Sequence, residues 1–348
     1  MQVLEQLLLG LALVAYLAAA VLHTFGLAYK RQEAGRLAFV MLAAGFLAHS
    51  TSLLLRWAEG GRLPLTSLYE TLVFLAWSVV LLAIVADRRY AAGAASIILV
   101  PTAFFMTAAA VLMYEGPREL KEELATHWLA VHAGLSVFGY ASFTLAFAAG
   151  FFYVVQEDLL KKKYQQVRTL IHTLVVAFGT GLGLYVGYVI ANPTLFEDAT
   201  GHRVYGYSTA DWTIILTGTV VGLVASLVVG WIAARGASRP SFANRLPALH
   251  VLDRLSFHSV VFGMVLLALG IVSGAIWAKL VWGAWWEWDP KETWALVSWV
   301  FYGGYLVLRE TASWRGRNAA LIAIAGMFLI VFTFLGINLF VPGRHDFN

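Results

Sequence analysis

Long apolar stretches separated by short polar segments run along the whole chain. A helix needs roughly 20 mostly apolar residues to cross the hydrocarbon core of a bilayer, and the sequence contains about ten stretches of this kind. The pattern predicts an all-α, polytopic integral membrane helical bundle of about ten transmembrane helices, with eight to ten as the range. The predicted spans are residues 3–29, 37–55, 68–86, 93–113, 128–155, 170–190, 211–234, 257–281, 295–308 and 319–340.

Length decides how the first and the ninth stretch are interpreted. The first is too long for a cleaved signal peptide and has no basic residue before it, so we interpret it as the first membrane span. The ninth, residues 295–308, is short. We therefore expect the segment before it to dip into the membrane.

Basic residues indicate the orientation of the spans. Most of the 24 Lys and Arg residues fall in alternate loops, including the run of three lysines at 161–163. Because basic residues favour the cytoplasmic side, both termini are predicted to lie on the outer face. The formal charge of +4 is therefore a topology signal and not a nucleic-acid-binding surface. Without a linker or a low-complexity tract, residues 1–348 are predicted to form a single membrane domain.

Composition agrees with the spans and excludes several classes of protein. The chain is 60% hydrophobic and 13% charged, with a mean hydropathy of +0.75, which excludes a water-soluble globular protein. It contains no cysteine. A disulfide, a thiolate metal ligand and covalent haem attachment through CxxCH are therefore all excluded for this chain.

One segment carries an unusual density of tryptophan. Seven of the 13 tryptophans lie between residues 277 and 299, which the topology places at the outer membrane surface. Interfacial anchoring is the simpler interpretation, but an anchor needs only one or two rings per helix end. The density favours a flat aromatic surface for a large planar ligand, with charged residues forming a polar site at the membrane edge. The candidate binding residues are Trp282, Trp285, Trp286, Trp288, Asp289, Glu292 and Trp294.

Histidine is the natural iron ligand in a protein without cysteine. Of the nine histidines, His132 and His345 are predicted at the outer ends of the fifth and tenth spans, at the depth of the tryptophan segment. A membrane histidine is often only hydrogen-bonded between helices. Two neutral imidazoles beside an aromatic surface would instead provide bis-His axial ligation of haem. His127, one and a half turns before His132, is a competing ligand.

The tryptophan segment resembles a known family. Residues 282–296 are similar to the WWD signature shared by the haem-handling proteins CcsA, CcmC and CcmF. The sequence LDRLSF at 252–257, WRGR at 314–317 and LPLTSLYE at 63–70 resemble segments of CcsA. The resemblance covers most of residues 52–348, with 277–299 as the haem-handling segment. It aligns His132 and His345 with the two external haem ligands.

The resemblance implies a role in cytochrome c assembly. A CcsA-type protein of system II works with a CcsB/ResB-type membrane partner to move haem b outward and attach it to the CxxCH of apocytochrome c through thioethers. The chain would then be a non-covalent haem-binding subunit of a cytochrome c synthase, or haem lyase. Its location would be a bacterial cytoplasmic membrane or a thylakoid membrane.

One position departs from the family pattern. Many relatives carry an inner haem-ligating histidine where this chain has Val307. His258, which opens the eighth span, is our substitute for that inner ligand. The alternative is that the inner site is lost or is supplied by the partner.

Two other functions remain open at this stage. One is a CcmC-like chaperone that passes haem to a carrier without forming thioethers. The other is a polytopic transporter or quinone-linked redox subunit whose tryptophans are merely interfacial. Such a transporter or redox subunit should purify without the colour of haem.

Overall fold

The computed structural model describes residues 1–29, 31–90, 92–114, 116, 126–191, 194–197, 203–206 and 209–337. Within these ranges most residues are helical, which confirms the predicted all-α membrane bundle. The described residues also include a 3-10 turn at Gly93–Ala95 and a π-helical turn at Phe332–Gly336. The helices are α1 (Gln2–Tyr29), α2 (Gln32–Gly60), α3 (Leu68–Tyr90), α4 (Ser96–Leu112), α5 (His127–Leu160), α6 (Tyr164–Ile190), α7 (Thr209–Ala237), α8 (Pro240–Ala243), α9 (Leu249–Trp282), α10 (Pro290–Thr311) and α11 (Arg317–Val331).

Each predicted apolar stretch corresponds to one long helix. Among the described residues, nine helices are long and apolar enough to cross a membrane: α1 to α7, α9 and α11. α10 is not in that set, and it carries Lys291, Glu292 and Arg309 near its ends. It matches the short ninth span and is longer than predicted, since it begins at Pro290.

A short hairpin interrupts the helical pattern. Strands β1 (Thr194–Glu197) and β2 (Arg203–Gly206) pair antiparallel, with Thr194 opposite Gly206. We expected only a long loop between α6 and α7.

The chain divides into two compact units. The first comprises Met1–Glu157 and Arg245–Asn348, and the second comprises Asp158–Asn244. The single membrane domain stays a prediction. Within the second unit, α6 and α7 pack closely through small residues: a Cβ atom at Gly183 would collide with the carbonyl oxygen of Gly218, and one at Gly187 would lie 2.8 Å from Cα of Ile215. Such contacts are typical of membrane helix pairs.

The core of the first unit combines small residues with a few stacked rings. Phe143 on α5 and Tyr302 on α10 stack with centroids 3.9 Å apart and planes 4° apart. Both side chains are fully buried, as are Ala146 and Ala149 one and two turns further along α5. Alanine permits the neighbouring helices to approach α5, and the rings fill the remaining space.

An ion pair joins the start of α9 to the end of α10. Arg309 donates to both carboxylate oxygens of Asp253, at 2.9 and 2.6 Å. The backbone N–H of Gly316 donates to Oδ1 of the same carboxylate at 3.2 Å. The LDRLSF and WRGR segments, more than fifty residues apart in sequence, therefore meet at Asp253.

We expect Asp253→Asn to destabilise the first unit by about 2 kcal/mol, because it leaves a mostly buried guanidinium without its bidentate partner. Thermal unfolding in detergent, followed by circular dichroism, measures the shift in Tm. Glu310→Gln is the matched control: Glu310 and its partner Arg315 are 66% and 64% exposed and lie 3.7 Å apart, so that pair contributes little. Equal Tm values for the two variants would contradict this prediction.

Candidate functional site

Two helices, α5 and α9, approach each other along a row of glycines. A Cβ atom at Gly139 would lie 3.2 Å from the carbonyl oxygen of Gly263. A Cβ atom at Gly270 would collide with Oγ of Ser136. Small residues let membrane helices come this close. The row leads from the middle of the pair to the end of α9 that enters the tryptophan segment.

The imidazole of His132 on α5 lies against Gly274, the last glycine of this row on α9. A Cβ atom at Gly274 would lie 2.5 Å from Nδ1 of His132, so glycine leaves the room that the ring needs. Nδ1 lies 2.7 Å from the carbonyl oxygen of Gly270. Because a carbonyl oxygen can only accept, Nδ1 carries the proton and Nε2 carries the lone pair. His132 is therefore held in the tautomer that can ligate iron through Nε2.

The ring of His132 also lies beside a buried indole. Its plane is 9° from that of Trp277, with centroids 6.3 Å apart. Trp277 is 2% exposed and lies on α9, three residues after Gly274. The orientation of the imidazole is thus set by α9 through a hydrogen bond, a steric fit and an aromatic neighbour.

Helix caps fix both ends of the segment 283–289, which joins α9 to α10. Gly283 ends α9 with a φ of 81°, and Nζ of Lys279 donates to its carbonyl oxygen at 2.6 Å. At the other end, Oδ1 of Asp289 accepts from the backbone N–H of Lys291 at 2.9 Å. Trp288 precedes this N-cap with a φ of 59°, a left-handed conformation that costs a non-glycine residue about 1 kcal/mol.

Both carboxylates of the predicted site bond to backbone groups. Asp289 is the N-cap of α10, and Oε2 of Glu292 accepts from the backbone N–H of Glu287 at 3.1 Å. An N-cap acid followed three residues later by Glu is a known helix-start pattern. These two residues shape the tryptophan segment, and their contact with a ligand stays a prediction.

The three rings in the middle of the segment do not share a plane. Trp285 and Trp288 are 59% and 70% exposed. The plane of Trp286 is 84° from that of Trp288, with centroids 5.9 Å apart. Our expectation of one flat aromatic surface is therefore wrong for these rings. The rings of Trp286 and Trp288 instead meet edge to face.

The other two candidate tryptophans pack within the fold. Trp282 meets Trp277 edge to face with centroids 4.7 Å apart. Trp294 meets Phe332 in the same way at 4.6 Å. The five rings thus divide between packing and exposure, and the structure does not bring them together as one set.

A cavity lies between α5, α9, the start of α10 and the turn after α11. Its volume is about 130 Å³, and its lining includes His132, Trp286, Lys291, Glu292 and Thr333. Nε1 of Trp286 is buried and has no hydrogen-bond partner among the described residues. Pockets that enclose a whole small molecule measure roughly 300–1,000 Å³. The cavity is therefore too small to enclose a haem-sized ligand whole.

His345 and His258 are the remaining predicted ligands. His345 lies outside the described residues. His258 is exposed on α9, and its Nδ1 lies 2.8 Å from the hydroxyl of Tyr90. It does not line the cavity. Val307 is 60% exposed on α10, and the inner ligand stays a prediction.

Sequence reasoning missed the residues that orient His132. Gly270 and Gly274 are spaced as GxxxG, a pattern typical of close membrane helix pairs, and this spacing was the available signal. Lys291, one of the charged residues expected to form a polar site at the membrane edge, is part of the cavity lining. The fit to haem rests on the iron-competent nitrogen of His132 and on the cavity that His132 lines together with Trp286.

Comparison with known proteins gives one consistent result. The cytochrome c assembly protein family matches residues 65–345. A cytochrome c biogenesis protein CcsA from Prochlorococcus marinus is 28% identical over 98% of this chain and 93% of its own length. The CcsA protein of Crocosphaera subtropica is 30% identical over 88% of this chain and 86% of its own length. The CcsA protein of Microcystis aeruginosa is 30% identical over 84% of this chain and 81% of its own length.

We expect Gly274→Ala to weaken haem binding, because the added methyl group displaces the His132 ring. The expected loss of affinity is roughly tenfold, the lower end of the range for mutating a residue that supports a metal ligand. Haem titration of the purified protein, followed by absorbance, measures the affinity. Gly304→Ala on α10 is the matched control, since a Cβ atom there meets nothing within 4 Å. Equal affinities for the two variants would refute the steric role of Gly274.

Proposed function

The chain belongs to the cytochrome c assembly protein family, and from this premise we propose that it presents haem b at the outer membrane face for attachment to apocytochrome c. Its role in cytochrome c biogenesis and its place in a bacterial cytoplasmic or thylakoid membrane follow from the family and the long apolar helices. Haem presentation is the more specific step that this chain would perform.

One observation carries the proposal. The imidazole of His132 is fixed by the carbonyl of Gly270 in the tautomer whose Nε2 can bind iron, and His132 lines a cavity together with Trp286 of the tryptophan segment. The geometry supports an axial ligand.

The protein's contribution to the reaction is positioning. His132 and, as its proposed opposite ligand, His345 would hold the iron, while the rings of Trp285 and Trp288 would cover apolar parts of the porphyrin. Each thioether forms when a cysteine S–H of CxxCH adds across a vinyl C=C of the haem: the sulfur bonds to one vinyl carbon, the hydrogen goes to the other, and no group leaves. Fixing the vinyl groups near the thiols lowers the entropic barrier to this addition.

A membrane partner completes the proposed assembly. We place this chain beside a CcsB/ResB-type protein, with apocytochrome c as the acceptor. The histidine of the CxxCH motif would replace one axial histidine of this chain, because ligand exchange releases the product.

Purified wild-type protein is expected to carry bis-His haem, and His132→Ala and His345→Ala together are expected to remove most of it. Absorption spectra with pyridine haemochrome quantitation measure the haem content. His250→Ala is the control, because His250 is exposed at the start of α9 and does not line the cavity.

Unchanged haem in the double variant would refute the ligand assignment. Thioether formation on a CxxCH peptide, assayed with the partner present, separates a synthase subunit from a haem chaperone. Haem binding without thioether product would indicate the chaperone.

A further inference from the structure

A buried ionic network lies at one end of α1, α2 and α3, outside the cavity. Nε of Arg56 lies 3.0 Å from Oε1 of Glu70, and its Nη1 lies 3.6 Å from Oε1 of Glu5. All three side chains are at most 5% exposed. Charged groups inside a membrane protein are expensive to bury, and where they occur they usually have a role.

The second carboxylate oxygen of Glu70 fixes the turn between α2 and α3. Oε2 accepts from both the backbone N–H and the hydroxyl of Thr66, each at 2.8 Å. The backbone N–H of Glu70 donates in turn to Oγ of Ser67 at 3.1 Å. The side chain of Glu70 therefore links the ionic network to the turn at residues 63–67.

This turn contacts the helix that carries His132. Leu65 is 3% exposed, and a Cβ atom added at Gly134 would lie 3.5 Å from its Cδ1, so Leu65 lies against the side of α5 where Gly134 has no side chain. Gly134 follows His132 by two residues, which places it about 200° around the α-helix from His132. Leu65 thus supports the side of α5 away from Gly270 and Gly274.

We infer that Glu70 is a positioning residue for His132, acting through the turn at 63–67 and Leu65. This inference rests on the proposed function, in which Nε2 of His132 ligates haem iron. α5 is held between the glycines of α9 on one side and Leu65 on the other. Loss of the Leu65 support lets this end of α5 move away from α9, and the imidazole then leaves the iron.

Haem-loaded protein carrying Glu70→Gln or Leu65→Ala tests the inference. Glu70→Gln removes the charge that anchors the turn, and Leu65→Ala keeps the ionic network and removes the contact with α5. Both should lower the low-spin, six-coordinate haem fraction several-fold in the absorption and resonance Raman spectra. Excess free imidazole should restore it, because imidazole occupies the coordination position that His132 leaves.

Glu157→Gln is the matched control. Glu157 lies near the other end of α5, where Oε2 accepts from Nη1 of Arg317 at 2.9 Å. This variant also neutralises a paired carboxylate, and it should leave the haem spectrum unchanged.

The outcomes separate this inference from the proposed function. Unchanged low-spin haem in both test variants would overturn the inference, as would a loss that imidazole does not restore. If His132→Ala itself keeps all of its low-spin haem, the proposed function fails and the inference fails with it. If His132→Ala loses that haem while Glu70→Gln and Leu65→Ala keep it, only the inference fails.

Discussion

The close approach of α5 and α9 is the contact on which the site depends. Lipid tails are as apolar as the helix surfaces, so hydrophobic burial does not hold membrane helices together as it does in water. Close packing must provide that stability, and here it comes from the missing side chains of Gly263, Gly270 and Gly274. The same contact gives His132 a backbone carbonyl as its hydrogen-bond partner. Helix packing and ligand chemistry therefore share one set of residues.

The helical framework could be predicted from the sequence because hydrophobic length is a strong physical requirement in a bilayer. Among the described residues, ten helices match the ten apolar stretches, and α10 is the match for the short stretch at 295–308. The strand pair β1 and β2 was not expected, since each strand has only four residues. Pairing between strands that short depends on local geometry that hydropathy does not contain.

The site was only partly predictable. His132 and the tryptophan segment stood out by residue type and position, and the structure places His132 and Trp286 in the lining of one cavity. The edge-to-face arrangement of Trp286 and Trp288 and the left-handed backbone at Trp288 were missed, because neither follows from residue type or spacing. The helix-start roles of Asp289 and Glu292 were also missed, although their spacing around Pro290 is that of a helix N-terminus, and their contact with a ligand stays a prediction.

The caps at Gly283 and Asp289 have a consequence for the thermodynamics of binding. A loop of seven residues closed by helix caps at both ends has few alternative backbone conformations, so the backbone positions that carry its indoles are preorganised. The conformational entropy of ordering them is lost when the protein folds and not when a ligand arrives. Affinity at this surface can therefore be tuned through the backbone of the loop without changing any ring that faces the ligand.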